Sequence, residues 1–404
     1  MNDTPPIVVI GGGLAAAKAV ETLRDEGFDG AISLIGAEAE RPYERPPLSK
    51  DYLQGKSTSD DLFVHPENWY DDHGVDVHFG DAAVSIDRDS RTVSLASGES
   101  VAYDRLLLAT GSRPNTLRIP GADLAGVFSL RRIADSDQIR AAFAGAKKLV
   151  VIGAGWIGLE TAAAARAVGL DVTVLEFAPL PLQRVLGDEL ARYFADLHRK
   201  NGVDLRTSVS VTSLEGTDGR VSAVRVGDES IPADMVIVGV GISPNSELAA
   251  EAGLAVDNGI TVDENLRTSD PTIFAAGDVA NAWNTALGAH IRVEHWDNAI
   301  RQGQLAAKSM LGQPVSYDWQ PYFYTDQFDL GMEYVGYATD SDEVVIRGDK
   351  GSGEFLAFWL REGRVQAGMN VNVWDVNDDI RALIGNTVDR DRLADPQISL
   401  KGLN

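Results

Sequence analysis

The stretch Val151-Ile-Gly153-Ala-Gly155-Trp-Ile-Gly158-Leu-Glu160 constrains this chain more than any other. An apolar run, Lys147-Lys-Leu-Val-Val-Ile152, leads into it and reads as a buried parallel strand. Gly-x-Gly-x-x-Gly at a strand end calls for a tight turn and then a helix. The first glycine makes the turn, the second lets the backbone approach a pyrophosphate, and the third lets the helix pack on the strand. The helix N-terminus then offers unpaired N–H groups to an anion. Leu170-Asp-Val-Thr-Val-Leu175 is the next strand, and Glu176 stands at its end, 18 residues past Gly158. An acid there hydrogen-bonds an adenosine ribose 2′-OH and repels a 2′-phosphate. Phe177-Ala178 brings no arginine in its place, so the site reads as NAD(H) rather than NADP(H).

The same grammar occurs near the N-terminus. Residues 6–10 form an apolar strand, Gly11, Gly13 and Ala16 give Gly-x-Gly-x-x-Ala, a helix is expected over 14–27 with Gly27 ending it, and the next strand is 31–35. The acid expected after that strand is displaced: Gly36 and Ala37 come first, then Glu38. Glu38 reads either as the ribose partner or as a solvated loop carboxylate. Two such turns, about 140 residues apart, suggest two bound dinucleotides. A second echo supports two related domains. Val238-Gly-Val-Gly241-Ile-Ser-Pro244-Asn245 resembles Ala109-Thr-Gly111-Ser-Arg-Pro114-Asn115. Each is a buried strand that ends in small residues and then Pro-Asn.

Length and composition bound the rest. At 404 residues, two or three domains are expected. Asp plus Glu number 60 against 36 for Lys plus Arg, and a net charge of −24 argues against nucleic-acid binding. The chain contains no cysteine. That excludes disulfides, thiolate metal sites, a cysteine nucleophile and an iron–sulfur cluster held by the chain's own thiolates. The six histidines have no metal-ligand spacing, and no metal is expected. The N-terminus lacks the features of a signal peptide, and no run of 18 apolar residues occurs, so no membrane association and a cytoplasmic location are expected.

Four further places carry candidate chemistry. The proline-rigid segment Arg41–Lys50 presents Arg45 and Lys50, either as an exposed basic loop or as cations for a cofactor's phosphate or ring. Glu160 lies two residues past Gly158, where it can face a nicotinamide, pair with Lys50, or sit on the helix surface. Asp278 follows an apolar strand that ends in Gly277, and it flanks the first turn if that strand rejoins the N-terminal sheet. Trp296 precedes a helix near 297–311, as core or as a ring-lining aromatic. A helix is expected over 186–201, then strands over 203–209, 211–214, 220–226 and 235–239. From 314 the chain turns aromatic and alternating, with strands at 333–339, 343–347, 354–360 and 364–371 and a helix near 376–385. That is a third, α+β domain.

Taken together, the chain resembles the FAD-dependent, NADH-using ferredoxin reductases that feed class I cytochrome P450s and aromatic-ring dioxygenases. The resemblance spans the whole chain. It rests on Gly11-x-Gly13, Arg45-Pro-Pro-Leu-Ser-Lys50, Ala109-Thr-Gly111, Gly153-x-Gly155-x-x-Gly158-x-Glu160, Phe274-Ala-Ala-Gly-Asp278, Glu294-His-Trp296 and Pro321-Tyr-Phe-Tyr-Thr-Asp-Gln-Phe328. It implies an α/β, glutathione-reductase-like fold with two Rossmann-like domains and a C-terminal α+β domain. FAD would be held by 1–112 and 242–316, NAD by 113–241, and the last domain would be 317–404. On the FAD side the implied residues are Gly11, Gly13, Leu14, Ala15, Glu38, Arg45, Lys50, Val84, Ala109, Arg131, Asp278 and Trp296. On the NAD side they are Gly153, Gly155, Ile157, Gly158, Glu160, Glu176, Arg184 and Gly241.

The implied catalytic pair is Lys50, near flavin N5, and Glu160, which positions it. In this resemblance NADH would deliver hydride to the flavin. With no redox cysteines, the electrons leave for a [2Fe–2S] ferredoxin and through it for a P450 or ring-hydroxylating oxygenase. The ferredoxins of this family are acidic, so docking needs a basic patch, with Arg301 and Lys308 as candidate members. The alternatives are a reductase of rubredoxin, a quinone or oxygen, and an NADH-sensing interaction protein resembling apoptosis-inducing factor. Oligomeric state is left open.

Overall fold

The computed structural model describes residues 6–403, which divide into two units. The first unit comprises the described residues up to Arg45, Ser59–Arg113 and Ile242–Pro321. Its centre is a five-stranded parallel sheet in the order Ile273–Ala275, Arg105–Leu108, Ile7–Ile10, Ile32–Gly36, Val75–Phe79. Ile7–Ile10 is buried at every position, as expected of a strand covered on both faces. Ile10 lies beside Ile35 on one side and Leu108 on the other, so three strand ends converge where the chain turns into the helix Leu14–Asp25. That helix packs against Trp296–Met310. Gly303 permits the close approach, since a Cβ there would lie 2.4 Å from the Ala15 carbonyl oxygen. The unit also contains two small sheets, one antiparallel and one mixed. Ala83–Asp87, Thr92–Leu95 and Ser100–Ala102 form the antiparallel one. The hairpin Ala280–Asn284 and Ala289–Arg292, beside Ile260–Val262, was not expected, because its short strands lack a clean alternation of apolar and polar residues.

The second unit comprises Pro46–Thr58, Pro114–Gly241 and the described residues from Tyr322. A second parallel sheet runs in the order Asp204–Arg206, Asp171–Leu175, Lys148–Ile152, Met235–Val238, Val127–Phe128. The strand expected over 203–209 is thus reduced to three residues. The helix before it, Gln183–Lys200, is longer than expected, and it is broken at Gly187, whose φ of 73° and ψ of 174° are not helical. The unexpected strand Glu229–Pro232 joins Val211–Thr217 and Arg220–Val226 in a meander.

Residues 322–371 of this unit form an antiparallel sheet in the order Tyr322–Gln327, Leu330–Gly336, Arg364–Val371, Glu354–Arg361, Glu343–Asp349. Tyr322–Gln327 is itself a strand, and its neighbour starts three residues earlier than the expected 333. Phe355, Ala357 and Trp359 point into one core together with Leu149, Val151 and Phe194, while Leu356, Phe358 and Leu360 pack on the helix Asn377–Leu383. The alternation places successive side chains on opposite faces. The C-terminal tail is tied down by buried Arg347. Its guanidinium donates to the carbonyls of Leu393 (3.1 Å), Asp395 (2.7 Å) and Ile398.

Candidate dinucleotide and redox sites

The two glycine-rich turns share one logic. Gly11 has φ of 133° and Gly153 φ of 100°, in the region that favours glycine. A Cβ would lie 2.1 Å from the Ala109 oxygen at Gly11 and 2.3 Å from the Gly239 oxygen at Gly153. At Gly158 it would lie 2.1 Å from the Gly153 oxygen, so helix and strand meet there without a side chain. Gly13 and Gly155 differ: nothing comes within 4 Å of a Cβ at either. Each caps its helix in extended backbone, with no side-chain cap and no acid in the first turn. The helix Ile133–Phe143 is closed, by contrast. Asp135 accepts from the Arg131 and Arg132 amides at 3.0 and 2.8 Å, which places Arg131 at that helix start in the second unit. Two open helix N-termini with space above the middle glycine fit two pyrophosphates. Leu14 and Ala15 start the first helix. Ile157, 44% exposed, lies in the first turn of the second.

The Pro-Asn echoes have a structural meaning that sequence alone does not reveal. Asn245, which follows the Gly241 motif, donates to the Thr110 carbonyl at 2.8 Å, and its amide bonds Gly111 oxygen. Asn115, which follows the Ala109-Thr-Gly111 motif, donates to Val240 oxygen at 3.2 Å, and its amide bonds Gly241 oxygen. Each asparagine therefore braces the strand end named by the other motif.

The two ribose candidates are both engaged. Glu176 accepts from the Ala154 amide at 2.6 Å and the Ala178 amide at 2.7 Å, which pins its carboxylate against the turn. The neighbouring Phe177 is 79% exposed. Glu38 is not a solvated loop carboxylate: it accepts from Arg45 at 2.8 Å and from the Tyr43 hydroxyl at 2.5 Å. Arg45 also donates to Tyr43 at 2.9 Å.

Lys50 and Glu160 meet within the second unit. Lys50 Nζ lies 2.8 Å from Glu160 Oε1, and the carboxylate is 3% exposed. Ser49 donates to Glu160 Oε2 at 2.5 Å and Thr325 to Oε1 at 2.6 Å. The ammonium also lies 5.4 Å from the centroid of the Tyr324 ring. Neither the helix-surface reading of Glu160 nor the exposed-loop reading of Lys50 survives. Burial pushes the nearby Asp326 carboxyl above the usual carboxylate range, against the pull of Lys50. Ser49 and Thr325 were missed from sequence, where nothing distinguishes a buried hydroxyl from a surface one.

Asp278 follows Ile273–Ala275, which does rejoin the N-terminal sheet beside Arg105–Leu108. It accepts from Ser112 at 2.7 Å, another partner not foreseen. Ala109 ends the strand beneath Gly11, and half-buried Trp296 opens its helix. Val84 is 50% exposed, Arg184 is exposed, and Gly241 has φ of 92°. The expected docking cations are not free. Arg301 is held by both oxygens of Asp297, at 3.0 and 2.8 Å, and stacks 3.2 Å from the Trp319 ring centroid, while Lys308 pairs with Glu26. Asp297 lies on the same helix as Arg301, whereas Glu26 follows the helix Leu14–Asp25. Among the described residues no group of His, Asp and Glu could hold a metal, and no helix is long and apolar enough to cross a membrane.

Two Rossmann-like units with open turns define a dinucleotide-dependent protein, and comparison with known proteins gives the class. The chain matches the pyridine nucleotide-disulphide oxidoreductase family over residues 5–303 and the Reductase C-terminal family over 322–404. It is 41% identical over 367 residues to rhodocoxin reductase of Rhodococcus erythropolis, across 91% of this chain and 86% of that one. The solved ferredoxin reductase for the CYP199A2 system from Rhodopseudomonas palustris superposes with a TM-score of 0.94 at 38% identity, covering 98% of this chain and 99% of that one. The covalent putidaredoxin reductase–putidaredoxin complex gives 0.95 at 35% identity, covering 99% and 98%. The chain belongs to the pyridine nucleotide-disulphide oxidoreductase family and, within it, to the ferredoxin-reductase group. Its fold is glutathione-reductase-like, and it is an FAD- and NAD(P)H-dependent oxidoreductase.

Proposed function

We propose that this chain is the cytoplasmic reductase of an oxygenase system. It passes electrons from NADH through FAD to a [2Fe–2S] ferredoxin, and so to a P450 or ring-hydroxylating oxygenase. The observation that carries this reading is the absence of cysteine in a member of a disulphide oxidoreductase family. With no thiol pair in the chain to accept electrons, they must leave for an external acceptor. In this reading residues 1–112 and 242–316 hold FAD, 113–241 hold NADH, and 317–404 form the C-terminal domain.

FAD, when bound, supplies a hydride acceptor that releases its two electrons singly. The chain's own residues bind and orient. The helix starts at Gly13 and Gly155 receive the two pyrophosphates, and Glu176 takes the adenosine ribose of NADH. Asp278, oriented by Ser112, bonds the ribityl chain. Lys50 supplies positive charge for the reduced ring, and Glu160 holds it. No general acid or base is required, since proximity and charge account for the step.

The test is steady-state NADH oxidation by the FAD-loaded protein with a panel of [2Fe–2S] ferredoxins and rubredoxins, and ferricyanide as a generic acceptor. Ferredoxin-dependent turnover well above the rubredoxin rate is expected. Ferricyanide turnover that no ferredoxin accelerates would overturn the reading.

A further inference from the structure

Glu160 does more than pair with Lys50. One of its donors belongs to a file of side chains that runs into the core of the same unit. The strand Tyr322–Gln327 carries Thr325 and Gln327 two residues apart, hence on one face. Thr325 Oγ1 donates to Glu160 Oε1 at 2.6 Å, and Gln327 Nε2 donates to Thr325 Oγ1 at 3.1 Å. Gln327 Oε1 in turn lies 2.8 Å from His198 Nε2, on the helix Gln183–Lys200. Thr325, Gln327 and His198 are 1%, 1% and 0% exposed.

The file has one direction. An amide oxygen only accepts, so His198 must carry its proton on Nε2. The Gln327 amide nitrogen only donates, so Thr325 Oγ1 accepts from it and has its single proton left for Glu160. All three donors therefore point toward the carboxylate. At the far end, His198 Nδ1 is buried without a hydrogen-bond partner among the described residues, and the Phe328 ring packs against the imidazole in a T-shaped pair. The file has no exit for a proton, so it orients rather than conducts. A buried ion pair needs its remaining lone pairs filled if it is to hold one geometry. Here Ser49 fills one oxygen of Glu160, and Thr325 shares the other with Lys50.

We propose that Thr325, Gln327 and His198 are positioning residues that fix the rotation of the Glu160 carboxylate and thereby the place of the Lys50 ammonium. The last segment of the chain thus sets the charge presented to the flavin. This rests on the reading of Lys50 as the cation for the reduced ring.

The experiment uses the FAD-loaded protein in Thr325→Val, Thr325→Ser, Gln327→Leu and Lys50→Ala forms. Its readouts are the flavin midpoint potential, the rate of flavin reduction by NADH, and the His198 tautomer from long-range proton–nitrogen spectra. Thr325→Val removes the hydroxyl at nearly constant shape. It is expected to lower the potential and slow reduction by at least about tenfold, the scale of one hydrogen bond to a charged group. Thr325→Ser keeps the donor and should restore the rate to within about twofold. His198 should show the Nε2–H form in the parent protein and lose that signature in Gln327→Leu. A Thr325→Val protein with parental potential and rate, while Lys50→Ala shifts both, would overturn the proposal and leave the Lys50 reading intact. An Nδ1–H tautomer of His198 would also overturn it. If Lys50→Ala itself moves neither quantity, the Lys50 reading fails and the proposal falls with it.

Discussion

Gly155→Ala separates binding from folding at the second turn. Gly155 has φ of −78° and ψ of −179°, which alanine adopts freely, and a Cβ there meets nothing within 4 Å. The stability change should stay within about 1 kcal/mol, the usual scale of exchanges at a helix N-cap. The new methyl nonetheless occupies the open space above the helix N-terminus, where a pyrophosphate needs bare backbone. NADH affinity should fall by at least about tenfold, or about 1.4 kcal/mol. Gly158→Ala is the counterpart. Its Cβ would lie 2.1 Å from the Gly153 oxygen and 3.2 Å from the Gly153 carbonyl carbon, so backbone must move. Overpacking of this kind costs about 1–3 kcal/mol. The assay pairs NADH titration of the flavin-loaded protein with thermal and urea unfolding. Parental NADH affinity in a folded Gly155→Ala protein would refute the assignment of this helix start to the pyrophosphate. Undiminished stability in Gly158→Ala would refute the packing argument.

Two further outcomes are expected. Glu176→Ala should narrow the preference for NADH over NADPH, and it should also weaken NADH binding, because the Ala154 and Ala178 amides lose their acceptor; an unaltered NADH-to-NADPH ratio would remove Glu176 from recognition. Burial pushes the His198 imidazole from 6.5 down to about 4, so below pH 6.5 the unfolded chain takes up a proton that the folded chain refuses. The stability this residue contributes above pH 6.5 should therefore fall as the pH drops and be gone below about 4, a loss of about 3 kcal/mol. Urea unfolding at pH 7 and pH 5 measures it, and a His198→Gln protein with the same pH slope as the parent would refute it.

Much of the fold was legible because parallel strands buried on both faces announce themselves as apolar runs, and because the positive φ of Gly11 and Gly153 and the contact of Gly158 with Gly153 belong to each turn itself. The elements that escaped notice are short or depend on distant partners. Glu229–Pro232 and Ala280–Asn284 are short strands of local hairpins, paired with Arg220–Val226 and Ala289–Arg292, and neither carries the long apolar run of a buried parallel strand. The site divides the same way. Asp278 was placed correctly once its strand was put back in the first sheet, a topological inference. That Asp297 and Glu26 sit beside Arg301 and Lys308 could not be read from a list of charges.

By itself the sequence determined that two dinucleotide turns exist, that Glu176 follows the second at the spacing of a ribose acid, and that no thiol can store electrons. Each of these is a property of residue type and local spacing, which chain connectivity preserves. Only the tertiary structure decided which groups Glu160 meets. Its carboxylate is held by Lys50 and Ser49, more than a hundred residues before it, and by Thr325, 165 residues after it. Whether a charged side chain is solvated, paired or locked depends on what packing brings within about 3 Å, and no one-dimensional pattern carries that distance.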